Sequence, residues 1–409
     1  MITRRLGAAV LAAGLSGSLL SPVAAQTLTP PPQAVEIHVR VASGGRFVED
    51  LTLQDFALQV DGRPQPLGSL AVVRGGQIVR REGEAAFPLR VDRSYTLLFQ
   101  VVDWDPVLVQ AVEYLFGSVL KPGDSMTLVT PTKPYHLQKD ALTLKSKDEL
   151  TKGMKDVLRK DVLAGGGEYR DLINELKRLT RAIGGDTSNF DEELESDVST
   201  ESGSFGLEMQ IDRYRQALMK MDRIRLVDES KLLAFAGALK PQPGQKTVIL
   251  FYQREYRPEI SPATLNNLMS IYQGNPDIMG NLMDLFHFYK REKTFNTETV
   301  EKAFADAGID FHFIFMEKKA QRIFGATMKE QSEDTYPGFV AMAQATAGTA
   351  ESSMNPAAAF KHAADSSTDY YLLSFLPEGD SPGPGFREFH VQVKRPGCQV
   401  KSGLGYYAK

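Results

Sequence analysis

A nucleophilic serine needs a base within hydrogen-bond reach, and this sequence holds the two halves of such an arrangement far apart. Ser125 lies in Gly123-Asp124-Ser125-Met126, and Asp284-Leu285-Phe286-His287 supplies an Asp-x-x-His. The chemistry would be hydrolysis through a covalent intermediate. Against it, Ser125 opens a strand, whereas sites in α/β proteins gather where strands end. An ordinary turn explains the same four residues. The six histidines, His38, His136, His287, His312, His362 and His390, are scattered, with neither H-E-x-x-H nor another paired metal spacing. Each reads as a strand or helix residue, with His312 and His390 set to face polar neighbours. Met209, Met219 and Met221 fit helical packing. Asp103-Trp104-Asp105-Pro106 is more informative. Its tryptophan, the only one, stands at a strand end, where it could anchor a partner or fold over the top of a sheet.

The elements that position these residues start with Thr96–Val102, a nearly unbroken apolar run of strand length. Asp105 suits a helix cap and Pro106 a first helical position. Leu108, Ala111, Val112, Leu115 and Val119 then recur on one helical stripe. Lys121-Pro122-Gly123-Asp124 stops the helix, and Met126–Thr130 makes a second buried strand. Val248–Tyr252 and Asp310–Phe315 read as a third and fourth, all parallel, with helices near 147–163, 169–183, 207–239, 262–272, 276–291, 297–307, 335–346 and 356–364. An edge strand is expected near Tyr135–Leu137. The fold class predicted is α/β: a doubly wound, mostly parallel sheet over residues 91–368, with antiparallel β segments at both chain ends.

Residues 35–90 read as a small antiparallel module. Val35–Val41 alternates apolar with polar, and Val60-Asp61-Gly62 signals a hairpin. Residues 369–409 read as a second β segment, with Tyr370–Phe375 and Arg387–Val393 forming a long hairpin around Pro377–Gly385. The two terminal segments either pack together or extend the central sheet. Residues 184–205, acidic and poor in apolar side chains, read as a disordered insertion.

Arg4-Arg5, the apolar run Leu6–Leu20 and Val23-Ala24-Ala25 make residues 1–25 a secretory signal, followed by a Pro-rich leader over 26–34. The apolar run is shorter than the roughly 20 residues that span a bilayer. No cysteine lies near the cleavage point, which argues against a lipoprotein anchor. The expected product is exported, periplasmic or extracellular, and not membrane-spanning. Removing the signal takes the formal charge from −4 to −6, which excludes the basic footprint of a nucleic-acid binder. The single cysteine, Cys398, leaves stability to the core rather than to disulfides, and it reads as a half-buried structural thiol.

Leu51-Thr52-Leu53-Gln54-Asp55-Phe56, Val60-Asp61-Gly62, Leu120-Lys121-Pro122-Gly123-Asp124, Tyr370-Tyr371-Leu372-Leu373, Phe386-Arg387, Val393-Lys394-Arg395-Pro396-Gly397 and Gly405-Tyr406-Tyr407 together resemble the von Willebrand factor type A-related proteins exported by acidobacteria. The resemblance implies a type A, Rossmann-like fold that binds other macromolecules through the carboxyl edge of its sheet. It also implies a metal site there, D-x-S-x-S with a Thr and an Asp from further loops. The sequence departs from that pattern. With Asp103 first, Asp105 and Val107 stand where serines belong, and Gln253-Arg254-Glu255 puts a guanidinium beside the cation. The expectation is a degenerate site without metal. Magnesium or calcium on Asp103 and Asp105 is the alternative. Gly123–Met126 also resembles the G-D-S-L block of a hydrolase family, which keeps hydrolysis by Ser125 as a further alternative.

The reading is therefore a non-catalytic protein-binding, adhesion or scaffolding module of the bacterial cell envelope. Its expected contact residues are Asp103, Trp104, Asp105, Thr132, Gln253, Arg254 and Glu255. Its partner is another protein or envelope macromolecule, and no cofactor is expected.

Overall fold

The computed structural model describes residues 34–84, 89–184, 203–290, 294–323, 326–377 and 384–408. The expected signal, the leader up to residue 33 and most of the acidic insertion lie outside them.

β1 (Val35–Ser43) buries Ile37, Val39 and Val41 and, on the face expected to be polar and open, Arg40 as well; β2 (Arg46–Phe47) turns back on it. β3 (Phe56–Val60) and β4 (Arg63–Gln65) form the hairpin signalled by Asp61-Gly62. Both turn residues have positive φ, 49° and 77°, as a tight two-residue turn requires. β5 (Ser69–Arg74) and β6 (Gln77–Gly83) make another hairpin. β7 (Arg93–Gln100) leads to α1 (Leu108–Tyr114), whose last turn widens to a π-helix over Leu115–Val119, and then to β8 (Ser125–Val129) and β9 (Pro134–Leu137).

Helices α2 (Ala141–Leu144), α3 (Lys147–Gly165), α4 (Gly167–Ile183), α5 (Gly203–Arg225) and α6 (Glu229–Leu239) follow. The long helix expected over 207–239 is thus two, broken before the Asp228 cap of α6, and α5 begins inside the stretch expected to lack order. Next come β10 (Gln245–Gln253), β11 (Tyr256–Ile260), α7 (Pro262–Ile271), α8 (Pro276–Tyr289), α9 (Thr297–Asp306), β12 (Ile309–Met316) and β13 (Ala326–Glu330). α10 (Tyr336–Ala345), β14 (Ala350–Ser353), α11 (Pro356–Ser366), β15 (Asp369–Phe375), β16 (Gly385–Val393), β17 (Gln399–Ser402) and β18 (Gly405–Ala408) complete the chain.

The central sheet runs β14-β12-β10-β7-β8-β9, parallel except for β9. One face packs on α1, α3 and α11 around Phe99 and Phe251, stacked at 4.5 Å. The other packs on α6, α9 and α10 around Phe311, Phe313 and Phe339. Covered on both faces, β10 and β12 are buried along their whole length. The terminal strands form a sandwich. Sheets β17-β1-β15-β5-β6 and β18-β16-β3-β4 enclose Val39, Phe56, Leu58, Tyr371, Phe375 and Val391. A third body, the helical lobe of α4, α5, α7 and α8, packs on Val102 and Ile260 past the carboxyl end of the central sheet, with the ribbon β11·β13 beside it.

These findings correct the expected fold class. Among the described residues ten strand pairings are antiparallel and four are parallel, and all four parallel ones belong to a single mixed sheet. A doubly wound, mostly parallel sheet of type A kind does not describe the molecule. Half-buried alternating segments at both ends of the sequence pair antiparallel with one another, and they outnumber the strands covered on both faces. The hairpin expected from Tyr370–Phe375 and Arg387–Val393 is also absent: β15 pairs with β1 and β5, whereas β16 pairs with β3 and β18. The segments at the two chain ends pack together as one body rather than extending the central sheet.

Candidate functional site

Past the tips of β7 and β10 lies a hollow of about 170 Å³ between the sheet and the helical lobe. Its floor is Val102 and Asp103 just past β7, with Arg254, Glu255 and Tyr256 following β10. One wall is α4, through Tyr169, Arg170, Ile173, Asn174 and Lys177; the other is Lys318, Lys319 and Gln321 after β12, with Met328 on β13. The α3–α4 junction is glycine because the chain passes close to the sheet there. A Cβ on Gly166 would fall 2.1 Å from the Val102 carbonyl oxygen. That closeness lets Arg170 Nη1 donate to the same oxygen at 2.6 Å.

Gln253 fixes the floor. Its Oε1 accepts from the Val102 and Asp103 N–H groups at 3.2 and 2.9 Å, and its Nε2 donates to the Asp103 carbonyl at 3.2 Å. The Asp103 carboxylate receives the Lys318 ammonium. Glu255, 2 % exposed, accepts from Arg225 Nε at 2.6 Å; burial pushes its carboxyl above the usual range although Arg225 opposes this. Arg254 lies over the Phe315 ring and faces Glu330 at 3.2 Å and Glu317 at 3.9 Å. Lys177 donates to Gln321 Oε1 at 2.8 Å. Its ammonium is held below the usual lysine range, first by burial and then by Lys318 and Arg181.

Of the seven residues expected to make contact, the hollow gathers Asp103, Arg254 and Glu255. Gln253 and Glu255 are buried and hold the site together through their hydrogen bonds. Trp104 is half-buried against the core beneath α1, the packed alternative to an exposed anchor. Asp105 accepts from the Val107 N–H at 2.9 Å and so caps the turn before α1 rather than the helix itself. Thr132 stands apart at the end of β8. There Thr130 and Tyr135 donate to Asp161 at 2.6 and 2.8 Å, and Thr132 shares the Thr130 hydroxyl. The sequence reading did not include the α4 wall or the lysines after β12. The spacing Arg170–Asn174–Lys177, one helical face, was the available signal.

The other chemistry separates on inspection. Ser125 pairs in register with Ser94 at the opening end of the sheet, whereas Asp284 and His287 are exposed on α8 beyond its far end, and Asp284 pairs with Arg215 at 3.2 Å. A tighter Ser–His contact does exist, Ser367 Oγ to His312 Nε2 at 2.8 Å. It is not a nucleophile and base. The Thr349 N–H donates to His312 Nδ1 at 3.1 Å, so the ring proton sits on Nε2 and points at the serine. The Ser367 hydroxyl hydrogen in turn goes to the Ala363 carbonyl at 2.9 Å, and both side chains are sealed from solvent. Among the described residues no group of three or more His, Cys, Asp or Glu side chains could hold a metal ion, and no helix is long and apolar enough to cross a membrane.

No family model matches the chain, and no curated protein or solved structure is significantly similar to it.

Proposed function

We propose that this chain is an exported, non-catalytic binding module of the cell envelope that holds another protein at the hollow between β7, β10 and α4. The observation that carries the reading is the state of the two carboxylates there. Asp103 is paired with Lys318 and Glu255 with Arg225, which supports a contact role over that of a base or a cation ligand. The volume supports contact with a partner's side chain over turnover of a small molecule. It falls below the roughly 300–1,000 Å³ of sites that enclose metabolite-sized ligands. The export reading rests on residues 1–25 of the sequence.

A photo-crosslinking amino acid at Asn174, on the wall of the hollow, tests this in intact cells. The expected result is one discrete adduct, absent when the same group replaces Arg63 on the distant β4. Equal capture from both positions, or none from Asn174, would remove the hollow from consideration.

A further inference from the structure

We infer that the ligand of the hollow is an acidic segment of a partner protein, with a carboxylate side chain seated beside Lys177 and Lys319; this rests on reading the hollow as the contact site. Five cations line it, Arg170, Lys177, Arg254, Lys318 and Lys319, against the two carboxylates Asp103 and Glu255. Lys318 is matched by Asp103, and Arg254 by Glu330 and Glu317, while Glu255 is already committed to Arg225. The remaining three are unmatched. Arg170 donates only to the carbonyls of Val102 and Leu163, and Lys177 to an amide oxygen. Among the described residues no carboxylate pairs with Arg170, Lys177 or Lys319.

A concave wall of low dielectric concentrates that surplus. The Lys177 ammonium is held low first by burial, then by Lys318 and Arg181, with Asp103 opposing. The space admits a side chain rather than a free metabolite. Separate ammonium groups suit carboxylates offered singly along a chain better than they suit the bidentate recognition that an arginine fork gives phosphate. A protein of formal charge −4, and −6 without residues 1–25, repels long polyanions, so a short local anion is favoured over nucleic acid or an anionic membrane.

The test is fluorescence anisotropy of a labelled octaglutamate peptide on the full chain, with octaglutamine as the neutral control. The expected result is binding of octaglutamate alone, weakened by salt and weakened about tenfold or more in Lys177→Glu/Lys319→Glu. Arg46→Glu/Arg63→Glu, an equal charge change at exposed positions of β2 and β4, should leave it unaltered. Lys177→Gln/Lys319→Gln, with folding checked by circular dichroism, separates lost charge from lost structure. Equal binding by the reversed and parent proteins overturns the inference, as does tighter binding of a DNA oligonucleotide or of phosphatidylserine vesicles. If Asn174 still captures the same adduct in the reversed variant, the ligand class falls while the hollow stands. If that capture fails as well in the parent protein, both fall.

Discussion

Arg40 on β1 reaches Asp310 on β12 with Nη2 and Oδ2 2.5 Å apart, and both side chains are buried. This ion pair joins the sandwich to the opening end of the central sheet. Gln245 Nε2 also donates to Asp310 at 3.1 Å, and Arg40 Nη1 to the Ala347 carbonyl at 3.1 Å. Removing one partner leaves the other charge buried and uncompensated. Arg40→Ala or Asp310→Ala should each cost about 3–5 kcal/mol in denaturant melts. Arg40→Met/Asp310→Leu should recover much of that loss. A double variant as unstable as the sum of the singles would mean zero coupling, with each residue acting through its other contacts and not through the pair.

The same junction makes the fold sensitive to acid. Burial holds His312 down to about 3 and His38 to about 4, both below the 6.5 of an unfolded histidine. Between those values the unfolded chain binds more protons than the native one, so stability falls as pH drops below about 6.5, by several kcal/mol at pH 4. Asp310, held low chiefly by Arg40 against its burial, adds a loss only below the ordinary carboxylate range. Thermal melts across this window check the slope. His312→Asn should flatten it, and an unchanged slope would mean that His312 titrates normally.

Gln253→Leu keeps the volume but strips the partners from two backbone N–H groups at the tip of β7. The expected cost is about 2–3 kcal/mol. Amide exchange at Val102 and Asp103 should quicken before any global change, which separates a floor residue from a contact residue.

With Asp103 occupied by Lys318, millimolar calcium or magnesium should leave the melting temperature unchanged. A site filled at a hundred times its Kd would add about 2.7 kcal/mol, an easily measured shift. Such a shift would restore the metal-dependent alternative.

Much of the central sheet was readable because β10 and β12 are apolar on both faces, a pattern that half-buried strands do not share. The ribbon β11·β13 was not, since Tyr256-Arg257-Pro258-Glu259-Ile260 is short, charged and carries a proline. The partners of Tyr370–Phe375 were hidden for another reason. Proximity in sequence favours a hairpin with Arg387–Val393, yet β15 is apolar on both faces and fits only between two strands and two cores. At the site, sequence placed Asp103, Arg254 and Glu255 at the carboxyl edge of the sheet, where they line the hollow. It could not show that the helical lobe rises over that edge and supplies the opposite wall. Long-range packing decided that, through Val102 among Ile173, Tyr214 and Ile260.

The seat of β15 between β1 and β5 also dictates an order of events at the ribosome. Ser69 and Ser374, hydrogen-bonded at 2.5 Å, are 305 residues apart, so the first strands emerge long before the one that joins them. Until residues 369–375 have been made, β1 and β5 have open edges and an unsealed apolar face, the kind of surface that invites aggregation or a chaperone. Closing so distant a pairing is slow, and the nascent chain must remain in a holding state until β15 arrives.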